Sequence, residues 1–370
     1  MTSPDSRFPI PAGSHVVVGM SGGVDSSVTA YLLQEQGHRV SGLFMVNWTE
    51  DEQGYCTAAE DFQDARRVCE ELGIPLHRVD FSKEYRERVF ARFLADYAAG
   101  KTPNPDVLCN REVKFQPFRA YALRLGADFI ATGHYARIEH GADGPRLLRA
   151  VDDNKDQTYF LAGVERAQLE RVLFPLGGLT KPQVRAIAQR AGLPVHRKKD
   201  STGICFIGER EFRAFLARYL RPDPGPILDD AGRELGRHQG LMYYTLGQRR
   251  GLGVGGTRGA REAPWYVVAK DAARNALIVS QDAHHSLLMA SQLVAAPFNW
   301  LAPVPSPGTP LLARIRHRQA PQSCVADGAG DAVTVRFRSA QRAVVPGQFC
   351  VLYAGERCLG GGEIVSAGAV

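Results

Sequence analysis

Gly19-Met20-Ser21-Gly22-Gly23-Val24-Asp25-Ser26-Ser27 follows the apolar run Val16-Val17-Val18 and precedes a stretch with helical patterning. The order is strand, glycine–serine turn, helix N-terminus. Backbone N–H groups at such a turn point outward, and the helix dipole favours an anion there. Gly22 and Gly23 let the backbone approach a phosphate closely. Ser21, Ser26 and Ser27 add hydroxyl donors. The stretch reads either as a cradle for a nucleotide phosphate or as an ordinary glycine turn of an α/β domain.

The spacing excludes a Walker A loop, which needs Gly-x-x-x-x-Gly-Lys-Ser/Thr, and a dinucleotide Gly-x-Gly-x-x-Gly. Ser-Gly-Gly-x-Asp-Ser over residues 21–26 resembles instead the pyrophosphatase loop of the N-type ATP pyrophosphatases. That resemblance implies ATP, cleaved between its α and β phosphates to adenylate a substrate oxygen.

Outward from the loop, residues 15 to about 209 alternate strand and helix patterns. Strands are expected at His15–Val18, Val40–Val46, Leu76–Asp80 and Asp128–Thr132. Helices are expected over Ser26–Gln36, over Lys83–Ala99, over Phe115–Leu125, and from the capping-box sequence Thr57-Ala58-Ala59-Glu60 onward. In the last of these, Phe62, Ala65, Cys69 and Leu72 share one apolar face, which makes Cys69 a core residue. This alternation predicts a doubly wound parallel sheet with ligands at the carboxyl ends of its strands. Beyond about residue 210, Arg221-Pro222-Asp223-Pro224-Gly225-Pro226 breaks any helix. Strands are then expected at Trp265–Lys270, Ala276–Ser280, Leu312–His317, Ala332–Phe337 and Gln348–Tyr353, with the proline-rich Leu301–Pro310 as a connection. The expected organisation is a catalytic domain over 1–209, a small central domain over 210–290 and a C-terminal β-barrel or sandwich over 291–370.

A chain of 370 residues fits this division. No apolar run approaches the roughly 20 residues that cross a bilayer. Met1 to Gly13 is polar and lacks an apolar signal core, so a cytoplasmic protein without a membrane partner is expected. The net charge of +6 permits a polyanionic partner without requiring one. Seven cysteines, an odd number with no Cys-x-x-Cys pair, argue against a disulfide framework and against a zinc ribbon.

Two cysteines stand in unusual settings. Cys109 closes Thr102-Pro103-Asn104-Pro105-Asp106-Val107-Leu108-Cys109, whose prolines deny it helical geometry at its start. Asp106, three residues earlier, could share a cavity with the thiol as an acid–base group. Cys205 lies in Lys198-Lys199-Asp200-Ser201-Thr202-Gly203-Ile204-Cys205-Phe206, where the lysines would favour a thiolate. Each is equally readable as a small buried hydrophobe, Cys109 in a loop and Cys205 in a strand beside Ile204 and Phe206.

The loop, Gly42-Leu43-Phe44-Met45, Thr102–Asn110, Ala131-Thr132-Gly133-His134-Tyr135, Lys155-Asp156-Gln157, Asp200–Arg210, Tyr244-Thr245-Leu246-Gly247-Gln248-Arg249 and Val345-Pro346-Gly347-Gln348 occur in this order. Together they resemble the bacterial tRNA-specific 2-thiouridylases over nearly the whole chain. The resemblance implies an adenine nucleotide alpha hydrolase-like domain, a small central domain and a C-terminal β-barrel that contacts tRNA. It implies that Gly19, Met20, Ser21, Gly22, Gly23, Val24, Asp25 and Ser26 hold ATP, with Met45 and Gly133 lining the base and ribose pocket. Magnesium would bridge the phosphates near Asp25. The 2-oxygen of the wobble uridine in tRNAs for lysine, glutamate and glutamine would be adenylated. Sulfur would arrive on Cys205 as a persulfide, supplied by a sulfur-relay protein or a cysteine desulfurase. Cys109 would resolve the intermediate by forming a disulfide with Cys205, or would first release free sulfide. Asp106 would be the acid–base group.

By the same resemblance Asn104, Pro105 and Asp106 contact the target base. His134, Lys155, Asp156, Gln157, Arg316, His317 and Gln348 contact the rest of the tRNA. Arg314, Arg316 and Arg318 alternate on the expected strand and would project from one face, with His317 opposite. His317 departs from the aromatic residue that the family places beside this arginine. The last eighty residues hold seven arginines, no lysine and four acids, a modest basic excess that also suits a plain solvated strand face. Two other classes explain the loop: an amide- or guanidine-forming ATP pyrophosphatase acting on a small molecule, and an RNA-binding module with a vestigial nucleotide site. The first leaves both cysteines idle. The second predicts tRNA binding without pyrophosphate release.

Overall fold

The computed structural model describes residues 10–48, 58–200, 212–254, 263–328 and 330–368. At its centre lies β1 (His15–Met20), with Val16, Val17 and Val18 fully buried. It pairs in parallel with β2 (Arg39–Val46) on one side and β4 (Phe129–Ala131) on the other. With β3 (Leu76–Asp80) and β7 (Val172–Leu173) the order is β3-β2-β1-β4-β7. The winding direction reverses between β1 and β4, so the crevice opens at their carboxyl ends.

Strand periodicity divides the core. Val16, Val18, Phe44 and Val46 pack under α1 (Val24–Glu35) and α2 (Ala58–Leu72), where Cys69 is buried as expected. Val17 and Leu43 face the opposite layer. That layer begins with α3 (Ser82–Tyr85), a π-helical turn Arg86–Phe90 and α4 (Ala91–Ala98). It continues with α5 (Pro105–Cys109), a π-helical stretch Asn110–Phe118 and α6 (Arg119–Arg124).

The expected loss of helical geometry at the start of Thr102–Asn110 holds for residues 102–104, but a helix begins at Pro105, so Cys109 lies on a helix and not in a loop. Pro105 occupies the first helical position, where its missing N–H costs nothing. The Asn104 side chain caps the turn by accepting from Val107 N at 3.3 Å. Pro117 lies inside the π-helical stretch, where an i→i−4 bond could not be donated in any case.

The hairpin β5 (Arg137–Gly141) and β6 (Gly144–Leu148) leaves this sheet and joins another, through Leu148 opposite Arg357. α7 (Thr158–Leu161) and α8 (Lys181–Arg190) follow, the latter packed on α1 through Val24, Val28, Val184 and Ala188. After α9 (Phe212–Leu216) come the four strands β8 (Gly225–Asp229), β9 (Glu234–His238), β10 (Tyr266–Asp271) and β11 (Ala276–Ser280), ordered β10-β11-β8-β9.

The remaining strands are β12 (Met289–Trp300), β13 (Leu311–Arg314), β14 (Gln322–Asp327), β15 (Val333–Arg342), β16 (Phe349–Ala354) and β17 (Arg357–Gly368). β12 pairs with both β15 and β17 and closes a six-stranded barrel. The strand expected to run to His317 ends at Arg314. Arg316 and Arg318 therefore lie in the following turn and share no strand face with Arg314, which is itself buried.

Arg314 is buried because it meets Asp156: its Nη1 lies 2.5 Å from Asp156 Oδ2. Thr102 makes a second junction. Its N–H donates to Pro346 O at 3.1 Å, its carbonyl accepts from Gln348 Nε2 at 2.8 Å, and its hydroxyl lies 3.0 Å from that of Thr245. Gly347, at φ +92°, allows this contact, since a Cβ there would lie 3.0 Å from the Thr102 backbone. Arg314→Met should cost about 3–5 kcal/mol, because it removes the close partner of a buried carboxylate and leaves only Arg149 Nε, at 3.8 Å. Denaturant unfolding checks this, and a loss below about 1 kcal/mol would contradict it.

Candidate active site

The loop between β1 and α1 is braced from within. Ser26 Oγ accepts from Ser21 N at 3.2 Å and donates to Gly23 O at 3.1 Å. Gly22 sits at φ +72°, and a Cβ there would fall 2.2 Å from Asp61 O on α2. Lys198 clamps the same place, with Nζ 3.1 Å from Gly22 O, 2.7 Å from Asp61 and 2.6 Å from Asp64. Gly133, just past β4, closes the other side: a Cβ there would fall 2.9 Å from Asp25 C and Ser26 N. Among the described residues, no side chain caps α1 at Gly23. A Cβ on Gly23 would meet only Ser21 Oγ, at 3.4 Å, so the space above it is open. An uncapped helix start with open space over a glycine fits a phosphate chain. Gly19 and Met20 end β1, and half-buried Met45 ends the neighbouring strand at the same edge.

Behind the loop runs a chain of ion pairs. Asp25 Oδ1 and Oδ2 lie 2.7 and 2.9 Å from Lys181 Nζ, and Tyr135 OH donates to Oδ1 at 2.9 Å. Burial, then the Asp25 charge, raise the Tyr135 hydroxyl far above its ordinary range. Lys181 Nζ also lies 2.7 Å from Asp200 Oδ1, which Arg185 shares at 2.7 Å, while Lys155 reaches Oδ2 at 2.5 Å. Burial raises the Asp200 carboxyl, but Lys155 and Lys181 outweigh it and hold it at about 2. Asp25 is thus engaged by an ammonium and a hydroxyl. Among the described residues no group of three acids, histidines or cysteines is placed to hold a metal.

On α5, Asp106 and Cys109 are three residues apart and share a face. Cys109 is buried. Burial raises the Asp106 carboxyl above its usual range, opposed by the Lys114 charge. The helical stretch beyond Cys109 reaches the crevice. Phe118 stands 3.3 Å from where a Gly19 Cβ would be, and the Phe115 ring is 6.1 Å from that of His134. Cys205 lies outside the described residues, as do Cys56 and the Thr57 cap.

His134 is buried, with Nδ1 2.7 Å from Thr132 Oγ1. Desolvation, then Lys114, lower its pKa well below the ordinary value, so the ring is neutral. The Asp156 carboxylate is turned inward, against the expectation of an RNA contact. Besides Arg314 it accepts from Ala150 N at 3.1 Å and Thr158 Oγ1 at 3.0 Å. Gln157 Oε1 accepts from Tyr135 N at 2.9 Å. His317 is half-buried; its Nε2 donates to Asp156 O at 2.9 Å and its ring centroid lies 4.3 Å from that of Phe160. Phe160 O in turn accepts from Asn110 Nδ2 at 3.1 Å, beside Cys109. Arg316 is exposed and donates to Ala343 O at 2.6 Å. Sequence reasoning did not assign Lys181 to the site. Its only signal there is the capping box Thr180-Lys181-Pro182-Gln183, which marks a helix start.

A doubly wound sheet with a phosphate loop at its switch point, carrying a small β domain and a closed barrel, defines a nucleotide-binding α/β protein of the HUP class. Residues 14–209 match the family model described as the tRNA methyl transferase HUP domain. Residues 213–281 match the corresponding PRC-barrel domain, and residues 290–364 match an aminomethyltransferase beta-barrel domain. The chain is 56% identical over 358 residues to a tRNA-specific 2-thiouridylase MnmA of Alcanivorax borkumensis, covering 96% of this chain and 98% of that one. It is 56% identical over 355 residues to the Methylococcus capsulatus protein of that name, covering 95% and 96%. The Streptococcus sanguinis protein is 53% identical over 352 residues, covering 94% of each. This chain belongs to the tRNA-specific 2-thiouridylase (MnmA) family.

Two outcomes follow from the geometry. Gly133→Ala should push the loop apart and weaken ATP binding about 5- to 100-fold, at the 1–3 kcal/mol usual for overpacking; titration calorimetry checks it, and unchanged affinity would contradict it. His134 stays neutral in the fold, so the unfolded chain takes up a proton first as pH drops through about 6.5. Stability should therefore fall on the acid side, and His134→Gln should flatten that fall in melts between about pH 8 and pH 5.

Proposed function

We infer that this chain is an ATP-dependent tRNA-uridine 2-sulfurtransferase that replaces the 2-oxygen of the wobble uridine with sulfur. One observation supports the reading most: the helical run that continues from Asp106 and Cys109 touches the carboxyl ends of β1 and β4 through Phe118 and Phe115, beside the open glycine–serine loop. Family membership along nearly the whole chain supports the substrate.

ATP, held by Gly19–Ser26 with Met45 and Gly133 beside it, supplies the AMP that makes the uracil 2-oxygen a leaving group. The N–H groups at the start of α1 take the phosphate charge. Asn104, Pro105 and Asp106 receive the base once it leaves the anticodon stack. Asp106, made a weak acid by burial, accepts the N3 proton as the 2-oxygen attacks the α-phosphorus, the α–β phosphoanhydride bond breaks and pyrophosphate leaves. Cys205 carries the persulfide. Its terminal sulfur bonds to C2, and AMP leaves with the oxygen. Cys109 then attacks the Cys205 sulfur. The S–S bond breaks toward the sulfur on C2, releasing 2-thiouridine and leaving a Cys109–Cys205 disulfide for a thiol reductant. A sulfur-relay protein or cysteine desulfurase reloads Cys205. No step is assigned to magnesium.

His134, Lys155, Gln157, Arg316, His317 and Gln348 border the tRNA path, with Asp156 acting through the backbone and side chains it holds. The substrates are tRNAs for lysine, glutamate and glutamine, and the setting is cytoplasmic, where such tRNAs are found.

Incubation with ATP, magnesium, a persulfide donor and unmodified tRNA should yield 2-thiouridine by nucleoside mass spectrometry. Pyrophosphate release on a small acid with no thiolation would overturn the reading. Cys205→Ala and Cys109→Ala should each abolish thiolation while leaving tRNA affinity within about 3-fold. Asp25→Ala should lose tRNA-dependent pyrophosphate release.

A further inference from the structure

Lys181 is the first residue of α8, a position where the helix dipole disfavours a cation. It is nevertheless buried, with only 8% of its surface exposed. Its ammonium is kept there by carboxylates on two different elements, Asp25 near the start of α1 and Asp200. The two partners are unequal. Asp200 keeps Lys155 and Arg185 if Lys181 departs, whereas Asp25 would keep only the Tyr135 hydroxyl among the contacts described. Asp25 is also the carboxylate that a phosphate in the loop would approach, and an uncompensated charge there would repel it.

We propose that Lys181 is a polyphosphate-binding residue that exchanges partners: when the β and γ phosphates enter the loop, its ammonium leaves Asp200 for a phosphate oxygen and goes on neutralising Asp25. Asp200 stays paired with Lys155 and Arg185, so the exchange strands no charge. Asp200, fully ionised at neutral pH, competes with the phosphates for the ammonium. The exchange leaves Asp200 to Arg185 and to Lys155, on the Lys155-Asp156-Gln157 segment, and so ties nucleotide loading to that segment. This inference rests on the reading of Gly19–Ser26 as an ATP site.

Calorimetric titration of the full chain with ATP and, separately, with AMP separates the two ideas. If the wild type binds no ATP, the loop reading falls and the exchange with it. Given wild-type binding, Lys181→Met should weaken ATP about 10- to 100-fold, as for loss of a charge-assisted contact, and AMP less than about 3-fold. An equal loss for both nucleotides, or no loss, would overturn the exchange while leaving the loop reading intact. Should Lys181→Met fail to fold, Asp200→Asn decides. Removing the competitor should tighten ATP about 3- to 10-fold at unchanged AMP affinity, and weaker or unchanged ATP binding would overturn the proposal.

Discussion

The structure depends on two close approaches of backbones. The turn after β4 comes so near the start of α1 that only a glycine fits at residue 133, and the turn after β1 lies so near α2 that only a glycine fits at residue 22. These contacts set the width of the crevice at the switch point of the sheet. Everything polar in the site is arranged around them: the serines that brace the loop, the Lys198 clamp, and the ion pairs behind Asp25. Backbone contact fixes the width, and the serines fix the loop itself, with the Ser21 and Gly23 N–H groups donating to serine hydroxyls at 3.2 and 3.4 Å.

Buried charge connects this crevice to the barrel. Asp156 and Arg314 are both sequestered and pair at 2.5 Å, with Arg149 Nε a more distant second cation at 3.8 Å from the carboxylate. The Asp156 carboxylate also orders Ala150 and Thr158, while its carbonyl receives His317. From His317 the contacts run through Phe160 to Asn110 and so to the helix of Cys109. Thr102 is gripped at the same time by the segments around Pro346 and Thr245. The residues that precede the Asp106 helix are therefore positioned by all three parts of the chain.

The sheet, its order of elements and the glycine–serine loop between β1 and α1 were legible in the sequence because strand and helix periodicities are local and glycine punctuation is strong. The reading failed where one residue type serves two purposes. Prolines at 103 and 105 look like helix breakers, yet Pro105 starts a helix, since a first-turn position has no N–H to lose. Alternating arginines at 314, 316 and 318 look like a strand face, but a carboxylate 158 positions away draws the first of them inside. That pairing has no local signature. Lys181 was hidden for the same reason: its neighbours advertise a helix cap, and its partners lie at residues 25 and 200. The pairing of Asp25 with Lys181 is likewise a long-range fact.

The β5–β6 hairpin has a consequence for biosynthesis. It is made early, yet the strand edge it joins belongs to the last strand of the chain, with Leu148 opposite Arg357. During translation the hairpin waits while more than half of the protein is still to be made, presenting an unpaired edge of the kind that invites wrong pairing. The short, single-register attachment to β17 limits what that edge can capture. It also means that the α/β portion, cut off before the barrel, would carry a hairpin with no sheet to complete.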